Sequence, residues 1–227
     1  MLGVIPARGG SKTVPRKNLA DVGGKPLLAW TIECAQQCEC FDWCICTSDD
    51  AEILSIADGC GMATYGRPPE LASDTATTHS VVAYLLDQYS SCKWDAVMVL
   101  QPTCPLRTPA DIDGAIALME STHCDSVVSY TAVGPNHPAR MATIPGDESG
   151  GWPCPLEGNW GQFSRVQDLP PVYIRSGDIY LSTVETVQAG SLVGDDCRAW
   201  IIPEERHLNI DTPRDLLLAR AILGERI

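Results

Sequence analysis

The sequence predicts an α/β fold built on a mostly parallel sheet, and three observations carry that expectation. Short apolar runs alternate with segments of helical period over roughly the first 130 residues. The apolar runs read as strands buried on both faces, as parallel strands usually are. The helical segments carry capping residues and glycines where a helix should start and stop.

Element by element, "LGVIPA" (2–7) is the first strand, and "KPLLAWTIECAQQC" (25–38) has helical periodicity. "WCICTS" (43–48) alternates as a strand, and "SDDAEILSIADGCG" (48–61) is a helix with both ends marked. "THSVVAYLLDQYSS" (78–91) is helical and "WDAVMVLQ" (94–101) is the next strand. "TPADIDGAIALMES" (108–121) sets Thr108 as N-cap, Pro109 at the first helical position and Asp111 at N3, a capping-box variant. "DSVVSYTAV" (125–133) is a strand, and alternation returns in "SGDIYLST" (176–183) and "RAWIIP" (198–203). A last helix, "TPRDLLLARAIL", reuses the Thr-Pro-x-Asp start at Thr212 to Asp215. Between about 134 and 175 the pattern breaks into a Pro-, Gly- and Trp-rich excursion too long for a plain connector, a substrate lid or a dimer contact. The expectation is one domain over 1–227 carrying 134–175 as an inserted segment.

Charge narrows the function classes. The chain has 227 residues and a formal charge of −13, which argues against nucleic acid or an anionic membrane as partner. No run approaches the roughly 20 apolar residues of a membrane span, and the N-terminus lacks a signal-peptide pattern. A cytoplasmic protein is expected. Five of the eleven cysteines (Cys34, Cys38, Cys40, Cys44, Cys46) cluster without the paired knuckles of a zinc site and without a nearby histidine. They read as small buried hydrophobes in a reducing compartment, with a metal site or a disulfide as the alternatives.

Against that acidity, "RGGSKTVPRKN" (8–18) packs Arg8, Lys12, Arg16 and Lys17 around Gly9 and Gly10, directly after the first strand. The carboxyl ends of strands are where open α/β sheets bind ligands. Glycines there let backbone N–H groups approach an anion, and the cations add fixed positive charge. The loop matches neither the G-x-x-x-x-G-K-[ST] nor the G-x-G-x-x-G pattern. A triphosphate or other polyanion is one reading, a solvated basic loop the other. Three further stretches bear on the choice. "RPPELASDTATT" (67–78) pairs Arg67 with a run of hydroxyls, "LQPTCPLRT" (100–108) sets Gln101 after a strand and Arg107 near a helix, and "LNIDTPRDL" (208–216) sets Asp211 before a cap. Each alone has an ordinary explanation in helix capping.

Together, in this order, these stretches resemble the acylneuraminate cytidylyltransferases, the CMP-sialic acid synthetase family. Its pattern runs I-P-A-R-G-G-S-K-G-x-P-x-K-N, R-P-x-E-L-A-x-D-x-[AT]-[ST], L-Q-P-T-S-P-L-R, R-x-x-L-P with N-G-A-I-Y, and I-D-x-D-T-P-x-D. This chain shows "IPARGGSKTVPRKN", "RPPELASDTATT", "LQPTCPLR", "RVQDLPPVYIRSGDIY" and "LNIDTPRD". The resemblance covers almost the whole length and sits nearer the nonulosonic-acid branch than the synthetases that activate Kdo.

The resemblance implies a Rossmann-like three-layer α/β/α fold of the nucleotide-diphosphosugar transferase type. It implies transfer of CMP from CTP to the anomeric hydroxyl of a nine-carbon 2-keto sugar acid, with Mg²⁺ and release of pyrophosphate. By resemblance, Arg8, Lys12 and Lys17 hold the triphosphate, on a loop that also brings Gly9, Gly10, Ser11 and Asn18 to CTP. Arg67, Thr78 and Gln101 shape the cytidine pocket, and Asp211 binds Mg²⁺. Arg165, Ser176 and Tyr180 face the sugar. The excursion implies a homodimer whose segments cap each other's sites. A different acceptor, such as Kdo, a sugar phosphate or a phosphonate, is the alternative, as is a non-catalytic nucleotide-binding relative. Departures fall mostly on the sugar side. Ser176 stands for Asn, Asp178 for Ala and Val166 for a basic residue, while Cys104 stands for Ser and Asn209 for the first acid of I-D-x-D. Asp178 is expected to point away from an acidic substrate or to pair with Arg175. Thr13 stands where relatives carry Gly, so strain is expected there if that position needs φ > 0.

Overall fold

The computed structural model describes residues 1–144, 154–156 and 165–224. Strand β1 (Leu2–Pro6) leads into the basic loop, which ends in a short 3₁₀ turn (Lys17–Leu19). A two-residue hairpin follows, β2 (Asp21–Val22) against β3 (Lys25–Pro26), where the sequence had suggested the start of a helix. Helix α1 (Leu27–Gln36) begins only after Pro26, whose ring disfavours helical backbone at Lys25 before it. The chain continues through β4 (Trp43–Ser48), α2 (Ala51–Gly59), β5 (Ala63–Gly66), α3 (Thr78–Gln88), β6 (Ala96–Val99), α4 (Pro109–Thr122) and β7 (Ser126–Ala132). Within the excursion, β8 (Ala142–Thr143) pairs antiparallel with β9 (Cys154–Pro155). Residues 145–153 and 157–164 of the predicted inserted segment lie outside the described residues. The chain returns through β10 (Tyr173–Thr183), α5 (Val184–Gln188), β11 (Cys197–Ile201) and α6 (Pro213–Gly224).

Seven strands form one sheet in the order β11-β7-β10-β6-β1-β4-β5. All neighbours are parallel except those of β10, which runs antiparallel to both β6 and β7. The mostly parallel expectation therefore holds, with one reversed strand inserted. Helices α1, α2 and α4 pack on one face through Leu28, Ile32, Ile53, Ala57, Ile112 and Ala115. Helices α3 and α5 pack on the other through Val82, Leu85 and Val187. Helix α6 closes over the hairpin through Val22, Leu27, Leu216, Ala219 and Leu223. Sheet and helices thus make three layers.

The two Thr-Pro-x-Asp starts behave alike. Asp111 accepts hydrogen bonds from the Thr108 N–H (2.9 Å) and Oγ1 (2.7 Å). Asp215 accepts them from the Thr212 N–H (2.8 Å) and Oγ1 (2.9 Å). Each carboxylate satisfies donors that a helix start otherwise leaves open.

The order of strands fixes where a ligand can sit. From β1 the chain steps to β4 and β5 on one side, then crosses to β6 on the other. The loops leaving β1 and β6 therefore diverge, and a crevice opens at the carboxyl ends of these two strands.

Candidate active site

A cleft of about 610 Å³ occupies that crevice, a size typical of small-molecule sites. The β1 loop contributes Arg8, Ser11, Lys12, Lys17 and Asn18, the β5–α3 segment Arg67, Asp74 and Thr78, the β6 loop Gln101, and the approach to α6 Asn209 and Asp211. Nine of the residues expected from the sequence (Arg8, Ser11, Lys12, Lys17, Asn18, Arg67, Thr78, Gln101, Asp211) therefore line one cavity, although they span more than 200 positions.

The loop is pinned from several sides. The Gly9 N–H donates to Asp49 Oδ1 (3.0 Å), and a Cβ at Gly9 would lie 2.7 Å from the Asp50 Cβ, so no larger residue fits. That N–H is thus already engaged, and Gly10 is exposed with nothing around it, so neither glycine lines the cleft. Asn18 is buried and donates to the Arg8 carbonyl (2.9 Å). Arg16 turns away and pairs with Glu52 (2.7 Å). It is also the residue with positive φ (53°), whereas Thr13 is not among the positive-φ residues. The strain anticipated at Thr13 therefore falls at Arg16, three positions on.

Cations dominate the cleft, and their partners differ in kind. Lys12 pairs with Asp74 at 2.8 Å and Arg8 approaches it at 3.4 Å, both in exposed geometry. The Lys12 ammonium first, and Arg8 after it, hold the Asp74 carboxyl below the ordinary carboxylate range. Lys17 donates to the Ile210 carbonyl (2.6 Å) and to Asp211 Oδ1 (3.0 Å), joining the first loop to the last. Asn209 donates to the other Asp211 oxygen at 2.8 Å. Asp211 remains exposed to the cleft, oriented by an ammonium on one oxygen and an amide on the other.

Arg67 is different. It is 8% exposed, and its Nε and one terminal nitrogen have no hydrogen-bond partner. Its remaining contact is a long one, 3.5 Å to the Leu71 carbonyl. Burial lowers its pKa, opposed by the nearby Asp49 carboxylate. A buried guanidinium with idle donors is costly unless an acceptor arrives to meet it. Gln101 is fixed by its backbone, since its carbonyl accepts from Arg107 (2.6 Å) and Thr31 Oγ1 (3.5 Å). Gly177, at φ +84°, brings the β10 backbone up to Gln101, where a Cβ would stand 3.3 Å from its Oε1.

The sugar-side candidates fall elsewhere. Ser176 is fully buried and donates to Ser129 Oγ (2.8 Å), and Tyr180 is half-buried in the apolar cluster on the α3–α5 face. Arg165 is exposed but does not line the cleft. Asp178 is also buried, 1% exposed, and does not line the cleft, and it forms no ion pair with Arg175. His207 Nδ1 is 3.9 Å from it, and neither of its carboxylate oxygens has a hydrogen-bond partner. Sequence reasoning did not single out Asp74 or Asp49. Nothing in the local pattern marks which carboxylates will face a cation across the cleft.

The cytidylyltransferase family model matches residues 2–141. The chain is 33% identical over 217 residues to an N-acylneuraminate cytidylyltransferase of Streptococcus agalactiae, covering 94% of this chain and 51% of that protein. It thus spans about half the length of that relative. It is 30% identical to a CMP-N,N'-diacetyllegionaminic acid synthase of Legionella pneumophila, covering 98% of this chain and 96% of that protein. In structure it is similar to a CMP:2-keto-3-deoxy-manno-octonic acid synthetase complexed with CTP, with a TM-score of 0.74 and 17% identity over 100% of this chain and 99% of that one. The chain belongs to the cytidylyltransferase family, on the nonulosonic-acid branch that its sequence blocks resemble.

Proposed function

We propose that the protein transfers CMP from CTP to the anomeric hydroxyl of a nine-carbon nonulosonic acid and releases pyrophosphate. The observation that carries this reading is the buried Arg67, two of whose nitrogens have no partner, in a cleft also lined by Gln101, Arg8, Lys12 and Lys17. Idle buried donors together with three further cations suit a nucleoside carrying a polyphosphate. In the reaction the sugar oxygen forms a bond to the α-phosphorus. The bond from that phosphorus to the bridging oxygen breaks, pyrophosphate leaves with the electron pair, and the hydroxyl proton is released to solvent. Arg8 and Lys12 exchange Asp74 for phosphate oxygens, and Lys17 keeps a third N–H for the leaving group. Gln101, Arg67 and Thr78 hold base and ribose, which aligns the α-phosphate for in-line attack.

Asp211 fits a magnesium ion that also takes phosphate oxygens, because it is exposed to the cleft and each oxygen keeps acceptor capacity beyond its present donor. Such an ion would neutralise charge on the phosphates. With Asn209 in place of an acid, Asp211 is the carboxylate of this block that serves it. Ser176 shapes the sugar end through the backbone beside Gly177, and Tyr180 supports the strand that carries them. Arg165, exposed on the excursion and outside the cleft of its own chain, meets the sugar carboxylate in the other copy's site. The segment 134–175 forms a homodimer contact, and its exposed Met141, Ile144, Leu156, Tyr173 and Ile174 supply the apolar surface. The reaction takes place in the cytoplasm, and its CMP-sugar feeds polysaccharide assembly. No helix among the described residues is long and apolar enough to cross a membrane.

Pyrophosphate release from CTP and Mg²⁺ with a panel of acceptors tests this. Release is expected with a nonulosonic acid and not with Kdo, a sugar phosphate or a phosphonate. Lys17→Ala and Asp211→Ala should each lower it by about 10²–10³ without unfolding the chain. CTP binding without turnover on any nonulosonic acid would overturn the reading.

A further inference from the structure

The cysteine cluster lies at the opposite end of the sheet. Cys38 follows the end of α1, and Cys40 lies in the turn that feeds the amino end of β4. Both strand carboxyl ends that form the cleft are on the other side. Across from this turn stands Asp113, on the second turn of α4. The Sγ atoms of Cys38 and Cys40 and a carboxylate oxygen of Asp113 all lie within 4.8 Å of one another. The three come from two separate elements, so the grouping follows from tertiary packing as well as from the C-x-C spacing.

We infer that Cys38, Cys40 and Asp113 form a zinc site, distinct from the nucleotide cleft, that ties the α1–β4 turn to α4. Two thiolates and one carboxylate are a borderline-soft donor set, which suits zinc better than magnesium, calcium or copper(I). Tetrahedral zinc with bonds of about 2.0–2.3 Å draws its ligand atoms to about 3.5 Å apart. Cys40 is half-buried and Asp113 exposed, so neither side chain is locked by packing on all sides. Water takes the fourth position. Binding replaces two S–H bonds with two Zn–S bonds and releases two protons, and Asp113 supplies a carboxylate oxygen as the third ligand. Cys44 stays out of the set, because its Sγ is packed against the Gly3 backbone, where a Cβ would stand 2.7 Å away.

The test uses the full chain, reduced with a non-thiol reductant and titrated with zinc against a chromophoric chelator. One zinc per chain is expected. Cys40→Ser and Asp113→Asn should each weaken binding tenfold or more, and Cys92→Ser, an exposed cysteine elsewhere, should leave it unchanged. Cobalt(II) should give a thiolate-to-metal charge-transfer band in the wild type that Cys38→Ser and Cys40→Ser lose. Asp113→Asn alters only an exposed side chain, so its result does not depend on refolding a cysteine variant. Failure of the reduced wild type to bind zinc overturns the inference. So does wild-type affinity in Asp113→Asn together with Cys40→Ser.

Discussion

Arg67 brings a guanidinium into the base of the cleft and leaves two of its nitrogens without partners. In the free protein that arrangement is a cost, and it is recovered only when a ligand supplies acceptors. Arg67→Met should therefore raise the KM for CTP by about 10- to 100-fold, the loss of one or two charge-assisted hydrogen bonds. The same substitution should hold or raise the melting temperature, which separates a binding role from a structural one. Steady-state kinetics with a thermal melt check both, and a lower melting temperature with unchanged KM contradicts the assignment. At this scale the sequence was legible wherever a residue type matched the chemistry of a block, as for Lys17, Arg67, Gln101 and Asp211. It was not legible for Gly9, whose N–H goes to Asp49, or for Ser176, whose hydroxyl goes to Ser129. Those partners lie 40 and 47 residues away, beyond any local pattern.

Among the elements, α4 shows how a local motif acquires a long-range task. The Asp111 carboxylate that caps the helix also accepts two N–H bonds from Arg206, one at 2.9 Å, and one from Trp200 Nε1 at 3.4 Å. Burial pushes its pKa up, but Arg206 and Thr108 outweigh that and hold it below the ordinary carboxylate value. The folded value is depressed, so this stabilisation is present above the unfolded carboxyl pKa of about 3.9 and is lost as pH falls through the folded value. Asp111→Asn should cost on the order of 3 kcal/mol at neutral pH, because it leaves the Arg206 cation partly buried. It should also flatten the acid limb of the unfolding curve. Denaturant melts between neutral pH and about pH 3 check this, and an unchanged acid limb contradicts it. The cap itself was readable from Thr-Pro-x-Asp, but its partners on the 200–206 segment were not. The same holds for the sheet. Apolar runs marked β1, β4, β6 and β7, whereas β5, with no fully buried residue, and the two-residue hairpin carry too little pattern to register. The reversal of β10 also escapes a period of two, since alternation gives a strand its faces and not its direction.

At the scale of the whole molecule, a chain of charge −13 concentrates positive side chains on one crevice. Under the proposed function, the acidic remainder would repel polyanions elsewhere on the surface while the crevice takes the triphosphate. The excursion gathers exposed Met141, Ile144, Leu156, Tyr173 and Ile174. If this surface joins two copies, Ile144→Glu with Ile174→Glu should convert a dimer to a monomer in light scattering and lower turnover as well. A dimer that survives both charges places the contact elsewhere. The central claim, that a sugar hydroxyl attacks the α-phosphorus of CTP held in this cleft, has a direct test. A nonulosonic acid labelled with ¹⁸O at its anomeric hydroxyl is incubated with CTP, Mg²⁺ and the protein, and the products are weighed by mass spectrometry. The account predicts the label in the CMP-sugar and none in pyrophosphate, with Lys17→Ala and Asp211→Ala giving little of either product. Unlabelled CMP and pyrophosphate without a CMP-sugar, the products of hydrolysis alone, would contradict it.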